Sequence, residues 1–153
     1  MPQNDASPTL LEGRAMAAEI KLHAGPAFIR FQLDWPYDEI PGYLPTAVFV
    51  DTGVFRGEFT TSTWVTEWQA LRTILADLDQ RVGQGAEAHM EFADAARIGL
   101  TFQLERLGHV MLEVDIRLVE RDAELRFRLL ADQTYLSLWT RAINESLAQL
   151  PEG

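Results

Sequence analysis

The sequence predicts an α+β domain, a twisted and mainly antiparallel sheet of about seven or eight strands with two helices packed on one face. Three observations lead there. Several short runs alternate apolar and polar residues, the period of two of half-buried strands. Two longer runs space apolar residues by three and four, the period of amphipathic helices. At 153 residues and 47% apolar composition, the chain can bury a core without a metal or disulfide staple.

Residues 1–15 mix Pro, Asn, Asp, Ser and Gly around only Leu10 and Leu11, so a flexible N-terminal segment is expected, followed by a single domain over 16–153. A short strand is expected around Ile20 to His23, with Gly25 and Pro26 turning the chain. In the next strand Ala27, Ile29, Phe31, Leu33 and Trp35 share one side, and Phe28, Arg30, Gln32 and Asp34 the other. Three prolines and Gly42 mark Pro36 to Pro45 as a loop. Strands resume at Thr46 to Asp51 and Val54 to Thr60, the second with Phe55, Gly57 and Phe59 on one face.

The clearest helix follows, with Trp64, Trp68, Leu71, Leu75, Leu78 and Val82 on one stripe, Thr63 as its cap, Glu67 in its first turn and Gly83 as its stop. Ala88, Met90 and Phe92 read as a short strand, and Ile98, Leu100, Phe102 and Leu104 as a longer one. Arg106-Leu107-Gly108 is a three-residue hairpin loop. Pairing Glu105 with His109 then sets Leu104, Phe102, Leu100 and Ile98 opposite Val110, Leu112, Val114 and Ile116; a slip by one residue would turn each to the wrong face. In the last hairpin, Leu118 opposite Ala123 matches Arg117, Asp115 and Glu113 with Glu124, Arg126 and Arg128. Asp132 caps a closing helix whose stripe is Leu136, Trp139, Ile143, Leu147 and Leu150. No internal repeat is visible, and the strand order across the two halves is not readable.

Composition narrows the function. Without cysteine there are no disulfides, thiolate nucleophiles or Cys-type zinc sites. Ser7, Ser62, Ser137 and Ser146 lie in no nucleophile elbow, and His23, His89 and His109 fall in different predicted strands. His89-x-Glu91 resembles half of a deaminase signature whose Cys-containing half is missing. His109 is explained by a charge pair with Glu105, Gly83-x-Gly85 by a helix stop, and Asp77 with Asp79 by a solvated helix face. No catalytic, cofactor or metal residues are therefore assigned, and the chain is read as a non-enzyme. Neither a secretory signal nor a run of about 18 apolar residues is present, so a cytoplasmic location with no membrane association is expected.

The formal charge of −10 disfavours direct contact with nucleic acid and favours a basic protein partner; simple solubility is the plainer reading. The surface best suited to such a partner is Asp34, Trp35, Tyr37, Asp38 and Glu39, with Tyr43 just beyond, which joins aromatics, carboxylates and proline-imposed rigidity. The alternative is that Trp35 completes the apolar face of its strand and Tyr37 lids the core. A small-molecule binding or regulatory domain, possibly homodimeric, using the concavity between sheet and helices, is the competing function.

Several strings add a family likeness: Gly53-Val54-Phe55-Arg56-Gly57-Glu58, the Trp68 to Leu78 helix, Gly85-Ala86-Glu87-Ala88, and above all Asp132-Gln133-Thr134-Tyr135-Leu136. From about Ile20 to Leu147 the chain resembles the WapI family of immunity proteins. The resemblance implies a bacterial cytoplasmic antitoxin that neutralises a cognate toxin domain, commonly a basic nuclease. It carries over no catalytic residue and no interface residue. The best of these strings also has a structural reading, because Asp132 caps a helix whose buried face begins with Tyr135 and Leu136.

Overall fold

The computed structural model describes residues 16–35 and 39–150. Four strands, β1 (Met16–Ala24), β2 (Ala27–Asp34), β3 (Tyr43–Asp51) and β4 (Arg56–Trp64), lead into helix α1 (Val65–Gln80). Four more, β5 (Ala86–Ala93), β6 (Arg97–Leu104), β7 (His109–Leu118) and β8 (Ala123–Asp132), lead into α2 (Gln133–Gln149). The α+β class, the eight antiparallel strands and the two helices are those the sequence predicts. The strands form two four-stranded sheets, ordered β1-β2-β3-β4 and β5-β6-β7-β8. Four strands and a helix thus occur twice, although no repeat shows in the sequence. A sheet face requires alternation, which many different residues satisfy. The N-terminal segment 1–15 lies outside the described residues.

The two helices pack on each other, α2 runs along β1, and α1 lies against β5. One core joins all four layers. At its centre the Trp68 ring of α1 meets Phe31 of the first sheet at 4.9 Å and Phe92 of the second at 4.6 Å. Trp139 of α2 is equally buried, 6.2 Å from Phe102. Each indole N–H has a partner, as burial demands: Trp68 donates to Thr63 Oγ1 at 2.8 Å, and Trp139 to the His23 carbonyl at 2.9 Å.

The β6–β7 and β7–β8 registers are as the sequence predicts, including Glu105 N–H to the His109 carbonyl at 2.9 Å. In the first sheet the strands run longer than their alternation suggests. β1 starts at Met16, not Ile20, and β3 starts at Tyr43, inside the expected loop. Pro45 is tolerated in β3 because pairing with β2 ends at Leu33–Thr46, so its missing N–H breaks no bond on that side. β4 starts two residues later than expected and continues to Trp64.

That extension changes the start of α1. Trp64 closes β4 and stacks on Tyr43 instead of joining the apolar stripe, while Thr63, expected as a cap, lies in the strand and accepts the Trp68 indole. Glu67 replaces the cap by accepting the Trp64 N–H at 2.8 Å. α2 starts as expected, with Asp132 Oδ1 accepting from Thr134 N–H at 2.9 Å and Tyr135 N–H at 3.4 Å.

Candidate docking surface on the first sheet

Of the residues singled out for a partner, Asp34, Trp35, Glu39 and Tyr43 lie at one end of the first sheet, where β2 leaves it and β3 enters. Trp35 is 36% exposed just after β2, Glu39 is exposed, and Ile40 beside it is 41% exposed. Tyr43, half-buried, packs edge-on against Trp64 at 5.1 Å. Tyr37 and Asp38 lie outside the described residues. Asp34 is only 5% exposed and accepts the Trp35 N–H at 2.7 Å. The sequence placed Asp34 on the polar side of its strand, and only the packing shows that this side is covered there. Trp35 lies one residue past β2, which ends at Asp34.

Charge sets this end apart. On the outer face of the second sheet Arg126 reaches Asp115 at 3.3 Å, Arg117 reaches Glu124 at 3.7 Å, Arg128 reaches Glu113 at 3.8 Å and Arg97 reaches Glu91 at 3.3 Å. These charges largely cancel in place. Between Phe31 and Phe55, by contrast, the sequence has no Lys, Arg or His but carries Asp34, Asp38, Glu39 and Asp51. Asp51 pairs with Arg56 at 3.2 Å.

Each histidine and Glu67 has a local partner. His89 Nδ1 bonds Thr101 Oγ1 at 2.8 Å, His109 lies 3.5 Å from Glu105, and the His23 ring packs on Tyr135. Glu67 is pushed above 4.5, first by burial and slightly by Asp94, while the Trp64 and Ala93 N–H groups pull it down. Among the described residues no group of His, Asp or Glu could hold a metal ion. No helix is long and apolar enough to cross a membrane.

The space between sheets and helices, where the sequence would place a small-molecule site, holds the buried rings of Trp68, Trp139, Phe31, Phe92 and Phe102. A groove of about 670 Å³ lies elsewhere, between Ala47, Phe49 and Thr60 of the first sheet and the β5–β6 and β7–β8 turns at Ala95 and Val119. Sequence reasoning missed both this groove and the cations beside it. Lys21 and Arg30 lie over the rings of Phe28 and Phe49, and the visible signal was the alternation Phe28-x-Arg30 on the outer side of β2.

No family model matches the chain, and no curated protein matches it either. Its fold is similar to that of WHY1 from Arabidopsis thaliana, with a TM-score of 0.52 at 13% identity over 86% of this chain and 89% of that one. The plant transcriptional regulator PBF-2 aligns at 11% identity over 86% and 81% of the two chains, with a TM-score of 0.48. At such identities the likeness to WHY1 concerns the fold alone. The Asp132 to Leu136 string also has structural tasks here: Asp132 caps α2, the Tyr135 hydroxyl accepts the Gly25 N–H at 2.9 Å, and Leu136 is fully buried.

Proposed function

We propose that this chain is an immunity protein, a bacterial cytoplasmic antitoxin that neutralises a basic toxin domain by binding it, with no catalysis of its own. The observation that carries the reading is the placement of charge. The second sheet's outer face is compensated pair by pair, whereas the segment that exposes Trp35 and Ile40 holds several acids and no base. Aromatic anchors beside carboxylates suit a basic protein surface, with charge steering the encounter and the rings supplying affinity. The resemblance to WapI immunity proteins supports the same reading.

The test is co-expression with a basic C-terminal domain of a secreted protein encoded beside this chain. A stable complex is expected, whose association slows by about tenfold or more between 0.05 and 0.5 M salt as charges are screened. Trp35→Ala combined with Glu39→Lys should weaken the complex and leave the unfolding midpoint nearly unchanged. A salt-independent association rate would remove the steering argument, and full affinity in the double variant would move the interface elsewhere. A second reading, binding of a small molecule, is favoured by the groove beside Phe49, whose volume is in the usual ligand range. A thermal shift with a metabolite panel would favour it over the first.

A further inference from the structure

Strand pairing in the first sheet sets Lys21 directly opposite Arg30 on the outer face. Like charges so placed repel each other. The second sheet has a like pair of its own, Arg97 opposite Arg117, but Glu91 lies 3.3 Å from the first and Glu124 3.7 Å from the second. Among the described residues no carboxylate pairs with Lys21 or Arg30.

Aromatic rings hold these two cations instead. Lys21 Nζ lies 4.6 Å from the centre of Phe28, and the Arg30 guanidinium lies 4.4 Å from Phe49 and 5.9 Å from Phe28. Ring contacts orient the charged heads without cancelling their charge. Arg30 Nε is moreover buried with no acceptor among the described residues, a costly state for a charged donor. Glu19, two residues before Lys21, and Glu58, across the sheet from Phe49, share this outer face without an ion pair to either cation. A repulsive pair kept without an ion-paired carboxylate has broken a local rule, and such breaks concentrate where function imposes them.

We infer that the Lys21–Arg30 pair is the docking point for an acidic segment of a protein, one carboxylate being received between the ammonium and the guanidinium. The half-buried rings of Phe28 and Phe49 give that segment apolar surface on either side. At the same end of the sheet the β3–β4 turn holds out Val54 and Phe55, 82% and 62% exposed. That turn is fixed in advance: Thr52 Oγ1 accepts from the Phe55 N–H at 2.9 Å, and Asp51 Oδ1 from the Gly53 N–H at 2.8 Å. A protein segment fits better than nucleic acid, because a chain of charge −10 repels an extended polyanion while two local cations attract a single carboxylate. This partner is opposite in sign to the basic one proposed above and meets a different part of the sheet, so the inference does not rest on that reading.

The experiment is an NMR titration of the full isotope-labelled chain with three probes: a peptide alternating glutamate and phenylalanine, its glutamine counterpart, and a short thymidine oligonucleotide. The glutamate peptide should shift Lys21, Phe28, Arg30 and Phe49 and bind about tenfold more tightly than the glutamine peptide. Arg30→Gln and Lys21→Gln should each weaken it by about tenfold. Lys21→Glu puts an acid opposite Arg30, so it should raise the thermal midpoint while abolishing peptide binding, a combination that a purely structural role would not give. Equal binding of the two peptides, tighter binding of the oligonucleotide, no binding at all, or a lowered midpoint in Lys21→Glu would each overturn the inference.

Discussion

The two helices begin at equivalent places, each after the fourth strand of its sheet, and each uses its first turn to grip a hairpin turn of the other sheet. α2 does so through a hydroxyl: Asp132 caps the helix itself, and the Tyr135 hydroxyl accepts the Gly25 N–H of the β1–β2 turn. α1 does so with a carboxylate. Glu67 accepts the Trp64 N–H through one oxygen and, at 3.4 Å, the Ala93 N–H of the β5–β6 turn through the other. Thr61 accepts the Ala96 N–H of the same turn at 3.0 Å, and Ser62 donates to Asp94. The difference teaches that one architectural task can be met by a hydroxyl or by a carboxylate, and burial raises the pKa of the carboxylate that α1 uses.

The strongest test of the comparison empties the two centres that the helices share. Trp68→Ala and Trp139→Ala should each cost about 3–5 kcal/mol in denaturant unfolding, because both indoles are fully buried and hydrogen-bonded. A loss in one variant only would mean that the halves do not contribute equally to a common core. Asp132→Ala is a smaller change, expected to cost about 1 kcal/mol as α2 loses its cap. An unchanged midpoint would show that the tertiary contacts of α2 make the cap dispensable.

The smallest effect separates the helix starts by pH. Because burial raises Glu67 above 4.5, the folded chain holds that proton more tightly than the unfolded chain, and the stability tied to it declines as pH rises from 4.5 through the raised value. Glu67→Gln cannot ionise. Its stability relative to the parent should therefore improve across that window and level off above it, whereas Tyr135→Phe should show a constant deficit there. Chemical unfolding at several pH values measures both, and a parent that gains on Glu67→Gln with rising pH would reverse the assignment.

Much of the second sheet was legible because its hairpins are tight and its faces strictly alternate. Gly108, at a φ of +90°, fixes the β6–β7 loop, and the opposed charges from Arg117 to Arg128 fix the register of β7 with β8. The first sheet was less legible because its strands extend into segments whose local chemistry points elsewhere. Pro45 and Tyr43 read as loop, and Trp64 reads as the first member of a helical stripe. The candidate docking surface was legible as composition but not as exposure. Trp35 and Asp34 are adjacent in sequence, yet one emerges and the other is covered.

The amino-acid order by itself determined the strand and helix periods, the hairpin registers of the second half and the capping of α2, because each depends on residues a few positions apart. Tertiary structure alone decided that eight strands divide into two sheets, that Glu67 grips a distant turn, and that Lys21 meets Arg30 with no ion-paired carboxylate among the described residues. Those outcomes depend on which surfaces meet across the core, and burial couples residues whose separation along the chain carries no local signal.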